Sequence, residues 1–163
     1  MFKDFDISSF KKMKPPGDNT FDTMQEIKAL KKIPIRKTFV KEFDDQESAF
    51  KKTAEREGIE DYDSSVAKKL IEKSAPVILK LKKHFNRPRP KVLAKKMNIK
   101  MKDIEMASMK TPSYPSGHST QGMLICLTLS AKYPKSRKAF MKTADNISDS
   151  RNIAHAHYKS DSD

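Results

Sequence analysis

Residues 117–132 read GHSTQGMLICLTLSAK, and Met123 to Ala131 within them is the longest apolar run of the chain, interrupted only by Thr128 and Ser130. A helix that is apolar nearly all round must be covered on every side. The run is far short of the roughly 20 residues needed to span a bilayer. It therefore predicts a buried core helix, which Tyr133-Pro134 stops. Cys126, the single cysteine, lies inside this run. One cysteine excludes an intramolecular disulfide and fits a reducing compartment, and its apolar neighbours suggest a buried thiol.

Outward from that helix the same 3.6-residue rhythm recurs on both sides. Upstream, Val66, Leu70, Ile71, Val77, Ile78, Leu81 and Phe85 predict helix over residues 62–86, with a kink or restart at Pro76. Phe39, Phe43 and Phe50 anchor a helix from about 37 to 56, closed by Gly58. Asn19 or Thr20 caps another, running to about Lys31. Residues 91–114 are ambiguous, with a short amphipathic helix as one reading. Downstream, the last helix is expected from about Lys135 to Tyr158. No strand alternation, internal repeat or low-complexity tract stands out. The expected fold class is all-α: one helical bundle of about five or six helices over residues 19–163, preceded by an arm over residues 1–18 that ends in Lys14-Pro15-Pro16-Gly17-Asp18.

The chain has 163 residues, enough for one domain with a real core. Its net charge of +13 favours an anionic partner, although most of the lysines read as a solvated surface. The charged start, Met1-Phe2-Lys3-Asp4, does not resemble a secretory signal, so a soluble, cytoplasmic protein with no transmembrane span is expected.

Three clusters carry chemistry. Lys82 precedes Arg89-Pro90 by seven residues; Pro115-Ser116-Gly117-His118 follows; Ser150-Arg151 precedes His157, and Asp161 stands four beyond that. Phosphoryl transfer without a metal needs fixed cations around the equatorial oxygens, an in-line nucleophile and an acid for the leaving group. Arg89 and Arg151 suit the first task as planar forks, and Lys82 suits it as a point charge. Ser116-Gly117-His118 sits where a loop enters a helix, whose exposed N–H groups attract anions. His118 is placed to protonate a leaving oxygen. His157 and Asp161, four apart, would be neighbours on a continuing helix, and Arg151 would lie about 120 degrees round it. A carboxylate beside an imidazole fixes its tautomer and leaves the other nitrogen free to attack. His/Cys/carboxylate spacing suggests no zinc site.

Together, Lys-x6-Arg-Pro, Pro-Ser-Gly-His and Ser-Arg-x5-His-x3-Asp resemble the signature of the type 2 phosphatidic acid phosphatase superfamily. That group includes bacterial class A acid phosphatases and vanadium haloperoxidases. Ser113-Tyr114-Pro115-Ser116-Gly117-His118 resembles the soluble class A acid phosphatases most closely. The resemblance implies an all-helical fold and a phosphomonoesterase that needs no metal or other cofactor, with vanadate binding as a phosphate mimic. It implies His157 as nucleophile, His118 as general acid and Asp161 as the group orienting His157. Lys82, Arg89, Ser116, Gly117 and Arg151 would hold the phosphate.

Two departures stand out. The family usually has glycine where this chain has His155, which reads equally as pocket rim or as structural, and Tyr114 is a second rim candidate. The family also continues past Asp161 into another helix. Its absence predicts a fraying end, a minimal domain, a fragment, or a partner such as a second copy covering the C-terminus. The expected partner is a small phosphorylated substrate. Rival readings are a vanadate-dependent peroxidase, for which the chain is short, and a basic phosphate- or nucleic-acid-binding protein with a degenerate site. Nucleic-acid binding is the less favoured.

Overall fold

The structure is a computed structural model that describes residue 2 and residues 5–163. Seven α-helices account for most of it: α1 (Phe21–Lys32), α2 (Lys37–Asp44), α3 (Gln46–Arg56), α4 (Ser65–Phe85), α5 (Pro90–Lys96), α6 (Gly117–Lys132) and α7 (Arg137–Ile153). The described residues contain no strand, so the fold is all-α as expected. None of their helices is long and apolar enough to cross a membrane.

Helix α6 is the centre of the bundle. Ser116 caps it by accepting from the Ser119 N–H, and Tyr133 closes it by donating to Leu129 O. It packs chiefly on α7 and α4. Ile125, Cys126 and Leu129 meet Phe50, Phe140 and Ile147 in the main core. Fully burying a side chain of this kind contributes about 1.5–3 kcal/mol. Gly122 allows α7 to come close, since a Cβ there would lie 3.4 Å from Ile147 Cγ2. Not all of the apolar run is covered, because Leu127 is exposed.

Two boundaries differ from the sequence reading, each for a local reason. The helix expected over residues 37–56 is two helices, because Asp45 leaves helical geometry and its carboxylate caps α3 by accepting from Ser48 N at 3.1 Å. At Pro76 there is no restart; α4 runs through it. The last helix ends at Ile153, not Tyr158. There His155 takes a left-handed conformation (φ 55°), with His155 N donating to Asn152 O and Ala156 N to Arg151 O. These two bonds form a Schellman ending, whose left-handed position is ordinarily a glycine. Between α5 and α6 only a 3-10 turn at Ala107–Lys110 interrupts an irregular path.

The arm expected over residues 1–18 falls partly on residues 1, 3 and 4, outside the described residues. The rest holds a 3-10 turn, Phe10–Lys12, against α4. The chain end does not fray. Asp161 lies in a 3-10 turn, Lys159–Asp161, and is 3% exposed. Glu26 of α1 covers this turn, its carboxylate accepting from Ser160 N and Ser160 Oγ, both at 2.8 Å. Glu26 of the chain's own α1 thus covers the turn that carries Asp161.

Candidate functional site

Lys82, Arg89, His157 and Asp161 come together between the end of α4, the start of α5 and the turn after α7. Lys82 projects from the last turn of α4, and its Nζ donates to Pro112 O at 2.7 Å and Ser113 O at 3.3 Å. Burial, reinforced by Arg89, pushes its pKa down to about 7, against the pull of Asp161. Proline on both sides holds Arg89 at the start of α5. Its fork donates to Thr111 O, Ser108 O and Ala156 O at 2.8–2.9 Å. Burial and Arg151 lower its pKa to about 10, so it keeps its charge at neutral pH.

His157 and Asp161 meet, but not on a continuing helix. The turn after α7 brings His157 Nδ1 to 3.0 Å from Asp161 Oδ2, and Arg89 Nη1 lies 2.8 Å from His157 Nε2. Arginine can only donate, and an ionised carboxylate can only accept. The neutral ring therefore carries its proton on Nδ1 and holds a lone pair on Nε2. Burial depresses the His157 pKa to about 4, with Arg89 and Lys82 adding to it and Asp161 opposing, so the ring is neutral above that pH. Burial pushes the Asp161 carboxyl up. The His157 and Ser113 hydrogen bonds and the Arg87 charge outweigh burial and hold it below its ordinary value.

His118 and Arg151 form a second group, joined by Asp44 at the end of α2. His118 Nε2 lies 3.1 Å from Asp44 O and 3.4 Å from Asp44 Oδ1. Arg151 Nη1 donates to the same Oδ1 at 2.9 Å. The His118 hydrogen bond, then the Arg151 charge, lowers the Asp44 pKa to about 2. Arg151 is fully buried, and its Nη2 has no partner among the described residues. Ser116 is fully buried too; its hydroxyl caps α6 and its N–H donates to Asp161 O at 2.8 Å. Gly117 opens α6 beside Lys82, where a Cβ would lie 4.0 Å from Lys82 Cε.

Both rim candidates lie elsewhere. The His155 ring is wedged between Lys102 O (2.7 Å) and Ile33 O (2.8 Å), in a groove lined by Lys31, Lys100 and Lys102. Its role is to end α7. Tyr114 directs its hydroxyl to Met13 O at 2.7 Å and its ring edge to Phe85, so it faces the arm and not the cations.

Residues 70–162, which contain every one of these clusters except Asp44, match the model of the PAP2 superfamily. The chain belongs to the PAP2 superfamily. A stretch of 82 residues is 37% identical to a non-specific acid phosphatase of Salmonella typhimurium and 35% identical to one of Salmonella typhi. Each match covers 50% of this chain and 32% of the relative's length, so the chain matches about a third of those proteins.

In this PAP2 chain several polar groups around the motifs were not anticipated. Asp44 bridges His118 and Arg151. Ser113 Oγ donates to Asp161 Oδ2 at 2.5 Å, and Arg87 Nη1 donates to Asp161 Oδ1 at 2.7 Å. Arg87 carried a signal, since it is the first arginine of Arg87-Pro88-Arg89-Pro90. So did Ser113, the first residue of Ser113-Tyr114-Pro115-Ser116-Gly117-His118, whereas Asp44 carried none. Among the described residues no group of three or more His, Cys, Asp or Glu side chains is placed to hold a metal ion.

Proposed function

We propose that this PAP2 chain is a phosphatase that hydrolyses phosphomonoesters through a phosphohistidine on His157. The observation that carries the reading is the His157 ring, neutral, with Nδ1–H on Asp161 and the Nε2 lone pair turned to Arg89. That is the tautomer a histidine nucleophile requires. The phosphatase relatives support the same reaction class.

In the first step the Nε2 lone pair attacks phosphorus while the ester P–O bond breaks. The leaving oxygen takes a proton from His118. Asp161 balances the positive charge that grows on the ring. In the second step water attacks the phosphoryl group, His118 takes a proton from that water, and the P–N bond breaks. Inorganic phosphate leaves and His157 is restored.

Lys82, Arg89 and Arg151 stabilise the charge on the equatorial oxygens. Lys82 and Arg89 otherwise donate to neutral backbone carbonyls. Phosphate oxygens are charged and are the stronger acceptors, so they take over some of these donors. Drawing Arg89 Nη1 onto phosphate also frees the His157 lone pair. Arg151 Nη2, buried and without a partner among the described residues, is a donor in reserve for an equatorial oxygen. The Gly117 and His118 N–H groups open α6, where the first turn lacks intrahelical acceptors.

The test is phosphate release from p-nitrophenyl phosphate by wild type and His157→Ala, with and without vanadate. Release that disappears in the variant and is blocked by vanadate is expected. Equal release by the two proteins would overturn the reading, as would an inert wild type.

A further inference from the structure

We propose that Arg87, held by Glu26 of α1, is a positioning residue that aims Asp161 at His157. The inference rests on the phosphohistidine reading and adds a part of the site that the three motifs do not contain. Arg87 is 1% exposed, and its guanidinium grips two carboxylates at once. Nη1 donates to Asp161 Oδ1 at 2.7 Å and to Ser160 Oγ at 2.9 Å. Nη2 donates to Glu26 Oε2 at 3.0 Å. The guanidinium carbon stacks 3.8 Å from the centre of the Tyr158 ring. Arg87 O also accepts from Ser113 N at 2.8 Å, so the same residue fixes the segment that carries Ser113.

Division of labour on Asp161 makes this a positioning role. Oδ2 receives Ser113 Oγ, Tyr158 N and His157 Nδ1, whereas Oδ1 receives Arg87. A carboxylate held at one oxygen cannot rotate the other away. The Arg87 bond is charge-assisted and planar, which makes it both strong and directional. Arg89 and Arg87 thus hold opposite ends of one dyad: Arg89 at His157 Nε2, Arg87 at Asp161 Oδ1. Glu26 keeps Arg87 from turning, and it also fixes Ser160 N and Ser160 Oγ. Arg87 hydrogen-bonds none of the groups assigned to phosphate, so its loss should change the chemical step and spare ground-state binding.

The test compares Arg87→Met, Arg87→Lys and Glu26→Gln with wild type, using p-nitrophenyl phosphate turnover and inhibition by inorganic phosphate. For Arg87→Met, kcat is expected to fall about 10- to 100-fold, by analogy with the cost of removing the outer hydrogen-bond partner of a metal-bound histidine. KM and the phosphate inhibition constant should stay near wild type. Arg87→Lys should recover part of kcat, and Glu26→Gln should show a smaller fall with the same unchanged KM. An unchanged kcat in folded Arg87→Met would overturn the inference. So would a parallel loss of kcat and phosphate affinity, which marks general disruption. If Arg87→Met does not fold, Glu26→Gln decides on the same two readings. An inert wild type, or an active His157→Ala, would instead overturn the phosphohistidine reading.

Discussion

Replacing Asp161 by asparagine changes one atom and tests stability and chemistry together. Asp161 is 3% exposed, and its carboxylate accepts from four donors. Ser113 Oγ, Tyr158 N and His157 Nδ1 converge on Oδ2, and Arg87 Nη1 takes Oδ1. An asparagine has one acceptor oxygen, which satisfies most donors in the Oδ2 position. Its NH2 then confronts Arg87 Nη1, donor against donor, and leaves a buried guanidinium with Glu26 as its remaining carboxylate. Removing one partner of a buried ion pair costs about 3–5 kcal/mol. Glu26 should keep the loss at the lower end. For catalysis, the asparagine oxygen in the Oδ2 position still accepts from His157 Nδ1, so the tautomer survives while the balancing charge is lost. The expected fall in kcat is about 10²-fold, short of the roughly 10⁴-fold seen where asparagine traps a catalytic histidine in the wrong tautomer. Urea unfolding gives the first number and p-nitrophenyl phosphate turnover the second. A variant with wild-type stability and wild-type kcat would refute the reasoning, because Asp161 would then neither hold the turn nor support His157.

Three further outcomes follow from the same geometry. His157 has a folded pKa of about 4 against an ordinary 6.5, so the unfolded chain takes up its proton first and stability falls as pH drops from 6.5 towards 4. At about 1.4 kcal/mol per pH unit the loss is about 3 kcal/mol. The lowered carboxyls of Asp161 and Asp44 extend the loss to lower pH, and urea midpoints that do not move between pH 7 and 4.5 would contradict this. His155→Ala keeps the left-handed strain and drops the ring's hydrogen bond to Lys102 O or Ile33 O, of which a neutral imidazole can donate to one, costing about 1 kcal/mol. His155→Gly should be the more stable of the two by about 1 kcal/mol, and both should keep wild-type kcat because the ring faces Lys102 O and Ile33 O. Asp44→Asn removes a negative charge from Arg151 and His118, so KM should fall along with kcat, and a rise in KM would contradict the shared contact.

What the sequence made legible follows from how each feature is encoded. The helices announced themselves through periodicity, and α6 through its apolar run, because burial selects residue types directly. Lys82, Arg89, Arg151, His157 and Asp161 stood out because their spacing is a motif. The contacts they make with their partners did not. Ser113 lies 48 residues from Asp161 and Glu26 lies 134 from Ser160, so only the fold brings them together. Asp44 took its place beside His118 and Arg151 because the cap by its neighbour Asp45 ended α2 at it. His155 misled most, since an imidazole at a left-handed helix ending hides the stop that a glycine would advertise. Reading α7 through to Tyr158 put His157 and Asp161 side by side for the wrong reason. They are adjacent because a Schellman ending and a 3-10 turn fold the chain back.

The most direct measurement is chemical trapping of the covalent intermediate. The protein is mixed with p-nitrophenyl phosphate, quenched in alkali, digested and sequenced by mass spectrometry. A phosphoryl group on His157, absent from His157→Ala, is the expected result. Turnover with no phosphorylated histidine, or with the label on another residue, would contradict the assignment of His157 as nucleophile.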